Sequence, residues 1–310
     1  AAGGGGRGMR RCDTVEEVGI NFDLVKSEAK KAFGNDDIFM EKFLVEPKHI
    51  EVQVLGDEEG NVVHLFERDC SLQRRYQKVV EFAPAWSVPQ ETVEALRQDA
   101  VKIAKSVNYV SAGTVEFLVD KSGNYYFIEM NPRIQVEHTV TEMVTGVDIV
   151  RAQLLVAAGF PLDCPEIGLT KQEDVHFDGY AIQCRVTTED PSNNFAPDNG
   201  KITAYHSPGG FGVRLDGGNV GVGTVISPYY DSLAAKLLVH APTRLEAIRK
   251  MRRCLEEFTL EGFPTNAELS YQILYHPEFI LGECTTAFLD EHLSELLEFS
   301  RKLSESGVDA

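Results

Sequence analysis

The residues with the clearest chemical potential lie in one alternating segment, residues 127–138. Successive side chains of a β-strand point to opposite faces, so residues two apart share a face. A strand here would place five polar side chains together, those of Glu129, Asn131, Arg133, Gln135 and Glu137. Such alternation is by itself typical of a half-buried strand with one solvated face, so the neighbouring strand decides how this segment is interpreted.

The preceding residues supply that neighbour. Residues 113–119 alternate as a strand, and residues 121–124 (Lys-Ser-Gly-Asn) are typical of a hairpin turn. A turn centred in this segment would place Glu116 directly opposite Glu129, and opposed like charges destabilise a sheet unless a cation lies between them. Two carboxylates and an amide form an all-oxygen set that suits Mg²⁺ or Mn²⁺, usually together with substrate phosphates. The sequence therefore predicts a site for Mg·ATP built on Glu116, Glu129 and Asn131.

A glycine-rich stretch, residues 3–8, opens the chain. Successive glycines let backbone N–H groups cradle an anion without obstruction by side chains, so phosphate binding is one interpretation. The stretch is not a Walker loop, because no Lys-Ser or Lys-Thr follows it. Its spacing also matches G-x-G-x-x-G with Glu28 downstream, but a helix start at Asp13 follows instead of a second buried strand. A dinucleotide fold is thus weakly supported, and a flexible linker is the alternative.

Composition excludes some partners. The chain has 310 residues, of which 48 are acidic and 30 basic, and its formal net charge is −18. Such a charge argues against nucleic acid or an anionic membrane as a partner. The sequence has no apolar run of about 18 residues, the length that spans a bilayer. A local exception to the acidic character lies at Arg68, Arg74, Arg75 and Lys78, a cluster that could attract small anions.

The six cysteines are scattered without a Cys-x-x-Cys pair, so neither a zinc site nor a disulfide framework is indicated, and a reduced cytosol fits best.

The length suggests two domains. Helices are predicted at 27–33, 89–107, 147–158 and 244–258, and the pattern loses its periodicity at 162–177, where we expect the boundary. Strands are predicted at 38–45, 50–55, 62–67, 180–185, 200–205, 209–215 and 234–240.

Four motifs carry a resemblance to a known family: residues 41–44 (Glu-Lys-Phe-Leu), 67–75 (Glu-Arg-Asp-Cys-Ser-Leu-Gln-Arg-Arg), 133–138 (Arg-Ile-Gln-Val-Glu-His) and 182–191 (Ile-Gln-Cys-Arg-Val-Thr-Thr-Glu-Asp-Pro). Together they resemble the signatures of the biotin carboxylase component of biotin-dependent carboxylases, which are ATP-grasp enzymes. The resemblance covers residues 1 to about 290. Residues 131–133, 138–142 and 182–191 look like the pyruvate carboxylase branch of this family rather than the acyl-CoA carboxylase branch.

The resemblance implies a fold of the α+β class. In this fold a truncated ATP-grasp domain precedes a biotin carboxylase C-terminal domain of antiparallel strands and helices. We expect the ATP-grasp domain at residues 1–165, the C-terminal domain at 175–292 and a tail at 293–310. The family's first domain and the ATP-grasp lysine before the glycine loop have no counterpart in this sequence. We therefore expect the chain by itself to lack a competent ATP site.

The resemblance also implies an activity. Enzymes of this family use ATP to activate bicarbonate and then carboxylate N1 of biotin, in the pyruvate branch for conversion of pyruvate to oxaloacetate. The implied cofactors are ATP, Mg²⁺ or Mn²⁺, and biotin on a carrier domain outside this chain. The implied partners are biotinyl carrier and carboxyltransferase domains, in a homo-oligomeric full-length protein located in the cytoplasm, or in the mitochondrial matrix of a eukaryote. Nucleic acid and membrane are not expected partners.

The family's functional residues map onto this sequence in three groups. Around the nucleotide the resemblance implies Gly5, Gly6, Glu41, Lys42, Leu44, His49, Gln73 and Tyr76. As metal ligands it implies Glu116, Glu129 and Asn131, the same three residues as the hairpin argument. Around bicarbonate and biotin it implies Lys78, Arg133, Gln135, Val136, Glu137 and Arg185.

Within the last group, Glu137 would deprotonate bicarbonate and Arg185 would stabilise the negative charge on the biotin ureido oxygen. Tyr76 departs from the family, because many relatives carry histidine there. Three alternatives to the pyruvate carboxylase assignment stay open: an acyl-CoA carboxylase subunit, another ATP-grasp ligase that works without biotin, and an inactive fragment that acts only as a binding or assembly module.

Overall fold

The computed structural model describes residues 8–218 and 220–305. Eight α-helices lie within these residues: α1 (Val15–Phe33), α2 (Gln90–Ser106), α3 (His138–Thr145), α4 (Ile149–Ala157), α5 (Arg244–Glu257), α6 (Ala267–Tyr275), α7 (Pro277–Leu281) and α8 (Phe288–Glu305). The twelve strands of the same residues are β1 (Lys48–Gly56), β2 (Val62–Arg74), β3 (Gln77–Ala83), β4 (Ser111–Val119), β5 (Tyr125–Asn131), β6 (Tyr180–Thr187), β7 (Glu189–Asp190), β8 (Ala196–Pro197), β9 (Ala204–His206), β10 (Val213–Gly217), β11 (Leu233–Ala241) and β12 (Thr259–Glu261).

Eight of these strands form one sheet in the order β10-β11-β6-β3-β2-β1-β4-β5. Every pair in the sheet is antiparallel, which confirms the α+β class and excludes the parallel dinucleotide fold. The sheet crosses the boundary expected at 162–177, because β3 pairs with β6 from Val80 opposite Cys184 to Ala83 opposite Ala181. Strands β12 and β9, and β7 and β8, form two small two-stranded sheets.

Alternation along β1 separates the core from a polar interior. Ile50, Val52 and Val54 are fully buried and pack with Leu96 and Ala100 of α2. Side chains of the intervening residues point to the opposite face of the sheet, and these are the polar ones: His49, Glu51 and Gln53. They are also buried, so this second face is a covered interior and not the solvated face that alternation usually indicates.

Helices α5, α6 and α8 cover the other end of the sheet. Met251 of α5, Ile273 of α6 and Phe288 of α8 pack in one apolar cluster with Phe82 of β3 and Ile182 of β6. Because β3 and β6 share both this core and their ladder, the polar side chains on them are held by rigid elements. Helix α8 continues to Glu305, so residues 293–305 of the expected tail are helical.

The first helix begins and ends where its sequence indicates. Thr14 caps α1 by accepting a hydrogen bond from Glu17 N, and Gly34 ends it in the left-handed conformation with φ of 71°. The strand predicted at 38–45 is wrong, because residues 35–44 have neither helix nor strand structure. Phe39 and Met40 are 67% and 77% exposed, so the apolar residues of this segment face no core within the described chain.

Candidate active site

The β4–β5 hairpin places Glu116 directly opposite Glu129, which confirms the predicted pairing. Nearer the turn the register differs by one residue, since Phe117 pairs with Phe127, and a bulge at Ile128 restores the predicted register beyond it. The turn itself is closed by Asp120 N donating to the carbonyl of residue 124 at 2.8 Å. The two carboxylates thus meet through a bulge that sequence pairing rules did not supply.

Asn131 connects the two carboxylates. Its Nδ2 lies 2.8 Å from Glu116 Oε1 and 3.4 Å from Glu129 Oε1. Glu116 is buried, whereas Glu129 is exposed, so the group opens toward solvent on one side. The Oδ1 of Asn131 accepts from Arg133 and would face an ion after a half-turn of the amide. Two carboxylates and this amide oxygen form a hard oxygen set. The residues present therefore fit a magnesium or manganese ion whose remaining positions are filled by water or phosphate.

Glu116 is held ionised by its surroundings. Its carboxylate accepts hydrogen bonds from His49 Nε2 at 2.9 Å and from Gln135 Nε2 at 2.7 Å, and Lys78 Nζ lies 3.4 Å away. Burial raises the pKa of Glu116, but the hydrogen bond and charge of His49 and the charge of Lys78 outweigh it and lower the pKa to about 2. A permanently negative oxygen at this position is what a divalent cation requires.

Beyond Asn131 the alternating segment is not a strand, so the prediction that Arg133, Gln135 and Glu137 share one strand face is wrong. Strand β5 ends there because Pro132 has no N–H to donate to the ladder. The chain then turns, with His138 N donating to the carbonyl of Gln135 at 3.3 Å, and α3 begins at His138. Gln135 and Glu137 are buried by this turn, while Arg133 stays exposed.

Arg133 and Val136 lie at the rim of the site. Arg133 donates to Asn131 Oδ1 at 3.2 Å and to the carbonyl of Ile134 at 3.2 Å, so its guanidinium lies beside the metal-ligand candidates. The side chain of Val136 is 37% exposed, and its carbonyl accepts a hydrogen bond from Lys236 Nζ at 2.9 Å. Lys236, which lies on β11, therefore holds this turn in place through a hydrogen bond.

Glu137 is the meeting point of two cations. It is 2% exposed, and its carboxylate accepts from Lys78 Nζ at 2.6 Å and from Arg185 Nη2 at 3.1 Å. Burial raises the pKa of Glu137, but the charges of Lys78 and Arg185 outweigh it and hold the pKa at about 2. The carboxylate is therefore ionised at neutral pH and lies between two groups that also attract small anions.

The same two cations contact further buried carboxylates. Lys78 forms a short ion pair with Glu51, which is fully buried. Arg185 Nε donates to Glu81 Oε1 at 2.5 Å, and Glu81 is fully buried as well. Burial and the neighbouring Glu137 raise the pKa of Glu81, although Arg185 opposes the shift. The site is thus a compensated set of charges and not a bare cationic pocket.

Arg68 cross-links the interior. It is fully buried and donates hydrogen bonds to five side chains at 2.8 to 3.3 Å, those of Gln53, Thr141, Glu51, Thr114 and Gln135. The basic cluster expected from the sequence is therefore divided. Arg68 and Lys78 belong to the site, whereas Arg74 and Arg75 contact Asn194 near the β2–β3 turn.

The residues expected around the nucleotide are only partly brought together. Gln73 is buried and its Nε2 lies 2.5 Å from Nδ1 of His49, which contacts Glu116. Tyr76 is 59% exposed in the turn between β2 and β3, with φ of 66°. Glu41, Lys42 and Leu44 lie in the irregular segment 35–44, where Glu41 and Lys42 are exposed. Gly5 and Gly6 lie outside the described residues.

Sequence reasoning missed four buried polar residues that support the site through contacts to its members: Glu51, Gln53, Glu81 and Lys236. Alternation along β1 makes Glu51 and Gln53 look solvated, because sequence periodicity does not tell one solvated face from a covered polar one. Lys236 carried a signal, since it is the single charged residue of the apolar strand Leu233–Ala241. A lysine in such a strand is buried only when it has partners.

Comparison with known proteins places these features in a family. The profile of the carbamoyl-phosphate synthase L chain, ATP binding domain, matches residues 1–164, and that of the biotin carboxylase C-terminal domain matches residues 183–291. The chain therefore belongs to the biotin carboxylase branch of the ATP-grasp family.

Among curated relatives, pyruvate carboxylase from Bacillus subtilis is 54% identical over 300 residues, which are 97% of this chain and 26% of that protein. Pyruvate carboxylase from Aspergillus niger is 56% identical over 291 residues, or 94% of this chain and 24% of that protein. The chain thus spans about a quarter of the length of the curated relatives it matches.

Solved structures similar to this chain belong to the same family. The biotin carboxylase domain dimer of Hydrogenobacter thermophilus 2-oxoglutarate carboxylase, in complex with MgADP, ADP and bicarbonate, is 50% identical with a TM-score of 0.88, covering 94% of this chain and 63% of that one. Pyruvate carboxylase from Rhizobium etli with the allosteric activator acetyl coenzyme-A is 51% identical with a TM-score of 0.89, covering 93% of this chain and 26% of that one. None of the helices in the described part of the chain has the length and apolarity to cross a bilayer.

Proposed function

We propose that this chain carries the biotin carboxylase site of a pyruvate carboxylase, which activates bicarbonate with ATP and carboxylates N1 of biotin. The observation that carries the proposal is the convergence of Lys78, Glu137 and Arg185, three residues from β3, the turn before α3, and β6. Identities of 54% and 56% to pyruvate carboxylases support the same assignment. Pyruvate is the proposed final acceptor, and the acyl-CoA alternative is not favoured by these relatives.

In the first step, Glu137 accepts the proton of bicarbonate. Its pKa of about 2 keeps it ionised, which is the form that accepts a proton. Bicarbonate lies against Lys78 and the Arg133–Val136 turn in this proposal, so an anion shares the positive charge that otherwise depresses the pKa of Glu137. The basicity of Glu137 therefore rises when its substrate is bound. The deprotonated oxygen then attacks the γ-phosphorus of ATP, ADP leaves, and carboxyphosphate forms.

In the second step, the carboxyl group passes from carboxyphosphate to N1 of biotin, and the phosphate that leaves takes up the N1 proton. Arg185 stabilises the negative charge that develops on the biotin ureido oxygen. A guanidinium serves this role because it is always charged and donates in a fixed plane. The distance of 3.1 Å between Arg185 and Glu137 places the stabilising cation next to the base. The two steps therefore use the same group of charged side chains.

We assign the nucleotide and its metal to the neighbouring residues. The ion neutralises the phosphate charge when bound, and we propose Glu116, Glu129 and Asn131 as the side chains that hold it. For the adenine and ribose we propose Glu41, Lys42, Leu44, His49, Gln73 and Tyr76, and for the lid over the phosphates Gly5 and Gly6. Buried contacts support His49 and Gln73 in this group.

We also propose the arrangement of the larger protein. Residues 1–165 form the ATP-grasp part, 175–292 the biotin carboxylase C-terminal part and 293–310 a tail. Biotinyl carrier and carboxyltransferase domains are the proposed partners, in a homo-oligomer located in the cytoplasm, or in the mitochondrial matrix of a eukaryote.

The experiment uses the complete native polypeptide that carries this sequence. We expect bicarbonate-dependent ATP hydrolysis and avidin-sensitive transfer of labelled carbon from bicarbonate to pyruvate. Carboxylation of acetyl-CoA in place of pyruvate would assign the acyl-CoA branch. ATP-dependent ligation that avidin does not inhibit would contradict the proposal and assign another ATP-grasp ligase.

A further inference from the structure

Glu81 is a buried carboxylate that the proposed chemistry does not use. It lies on β3, three residues after Lys78, and its side chain is fully buried. Taking a carboxylate out of water is unfavourable unless hydrogen bonds and an opposite charge replace the lost hydration. The hydrogen-bond partners of Glu81 therefore indicate the role of this buried carboxylate.

Both carboxylate oxygens of Glu81 are bound by strand β6. Oε1 accepts from Arg185 Nε at 2.5 Å, and Oε2 accepts from Gln183 Nε2 at 3.0 Å. Glu81 and Gln183 are directly paired residues of the β3–β6 ladder, and Arg185 lies two residues further on the same face of β6. The backbone ladder thus fixes the donor and the acceptor relative to each other.

A second row of hydrogen bonds fixes the orientation of the Glu81 carboxylate independently of Arg185. Gln183 Oε1 accepts from Thr139 Oγ1 at 2.5 Å, which turns the Gln183 amide so that its Nε2 faces Glu81. Thr139 Oγ1 in turn accepts from Lys236 Nζ at 3.2 Å. Glu81, Gln183 and Thr139 are all fully buried, so water does not compete for these bonds.

This arrangement determines the direction of the Arg185 guanidinium. The planar guanidinium makes two contacts: Nε donates to Glu81, and Nη2 donates to Glu137 at 3.1 Å. Two such contacts fix the plane of a guanidinium. Among the described residues none accepts a hydrogen bond from Nη1 of Arg185, so both of its N–H groups are left for a ligand.

We propose that Glu81 is a positioning residue for Arg185, which holds the guanidinium so that Nη1 faces the biotin ureido oxygen while Nη2 stays on Glu137. The inference rests on the proposed function, because it assigns Arg185 to biotin. Without the carboxylate of Glu81, Arg185 would have Glu137 as its remaining carboxylate partner among these contacts. The guanidinium could then turn about its remaining contact with Glu137, and Nη1 would no longer be held toward biotin.

Two activities of the complete native polypeptide separate this role from a purely structural one. Hydrolysis of ATP with bicarbonate but without biotin needs the metal group and Glu137, whereas carboxylation of free biotin also needs Arg185 in place. In Glu81→Gln we expect kcat for biotin carboxylation to fall about 10²-fold, the loss that misplacement of a reacting group typically causes. Biotin-independent ATP hydrolysis and the KM for ATP should stay close to wild type.

Glu67 provides a matched control. It is 1% exposed, Arg97 Nε donates to its Oε2 at 2.7 Å, and Ala85 N donates to its Oε1 at 3.2 Å. Glu67→Gln therefore removes the same charge from a similar buried ion pair on the α2 side of the sheet. We expect it to lower the melting temperature without separating the two activities.

The coupling between Glu81 and Arg185 is measured by a double-mutant cycle. If Glu81 acts through Arg185, Glu81→Gln adds no further loss of biotin carboxylation to Arg185→Lys. Should Glu81→Gln fold poorly, Glu81→Asp keeps the charge but shortens the reach to Nε, and we expect a smaller separation of the two activities in the same direction.

A spectroscopic readout on the chain itself completes the test. In arginine labelled with ¹⁵N, the Nε–H of Arg185 should resonate downfield and exchange slowly, and Glu81→Gln should abolish this signal while Glu67→Gln preserves it. Parallel loss of both activities, or additive effects in the double mutant, would overturn the role of Glu81. A wild-type polypeptide with neither activity would overturn the proposed function, and the positioning role with it.

Discussion

Lys78 Nζ lies 2.6 Å from Glu137 Oε1 while it also pairs with the fully buried Glu51. The same lysine therefore neutralises a buried carboxylate and can attract an incoming anion. Because Glu137 receives a second hydrogen bond from Arg185, loss of its charge leaves each of the two cations with one carboxylate partner fewer. This relationship makes the glutamate the most informative residue to change.

Glu137→Gln keeps the shape of the side chain but removes the proton acceptor. We expect biotin carboxylation to fall by roughly 10²–10⁴, the usual contribution of a general base. Mg·ATP affinity should be preserved, because Glu116, Glu129 and Asn131 are unchanged. Turnover and nucleotide affinity are measured on the same preparation of the complete native polypeptide. Unchanged turnover would make Glu137 structural, and lost nucleotide binding would place it in the metal group.

Glu129→Gln tests the metal assignment with little effect on folding, because Glu129 is exposed. Removing one anionic oxygen should weaken Mn²⁺ binding in the presence of ADP, since such ions need ligand charge to lose their hydration shell. Electron paramagnetic resonance of Mn²⁺ measures the affinity. Glu58→Gln, an equally conservative change in an exposed turn, should leave the affinity unaltered. Equal Mn²⁺ affinity in both variants would remove Glu129 from the site.

Arg68→Met tests the cross-link beneath the site. The variant leaves Glu51 buried with one cation fewer and removes five hydrogen bonds. Breaking a buried pair by removing one partner destabilises proteins by about 3–5 kcal/mol. Chemical denaturation should show a loss of this size. Lys102→Met breaks the exposed pair with Asp99 and should change the unfolding free energy by less than about 1 kcal/mol.

Titration of His64 should make the free energy of unfolding depend on pH, at higher pH values than titration of the carboxylates does. Burial and the charge of Arg97 lower the pKa of His64 from 6.5 to about 4. The unfolded chain therefore binds more protons between these values, so the stability due to neutral His64 is complete above pH 6.5 and is lost as pH falls toward 4. With allowance for partial exposure, the loss is on the order of 2 kcal/mol.

The measurement compares His64→Gln with wild type at pH 7 and pH 5. Burial also lowers the pKa values of His138 and His276, so part of the slope in this window belongs to them and only the difference between variants reports on His64. The exposed His206→Gln is the control. An identical pH slope in His64→Gln and wild type would refute the assignment.

Local patterns determined a good deal of this protein. The caps of α1 at Thr14 and Gly34 and the β4–β5 hairpin follow from capping and turn chemistry, which act between residues close in sequence. The predicted opposition of Glu116 and Glu129 is found, but it also requires the bulge at Ile128. The family resemblance likewise implied Lys78, Glu137 and Arg185 as members of one site. Their individual roles stay predictions until they are tested.

The tertiary structure decided what is buried and what faces what. Alternation along β1 is the same whether Glu51 faces water or a covered interior, and only packing against β3 and the turn before α3 makes it a buried partner of Lys78. Residues 38–45 had the composition of a strand but pair with no strand in the described part of the chain. The link from Glu81 through Arg185 to Glu137 joins residues 104 and 48 positions apart in the chain. Sequence periodicity reports the angle between neighbouring side chains and carries no information on which distant strand a face will meet, so this part of the site arose from folding alone.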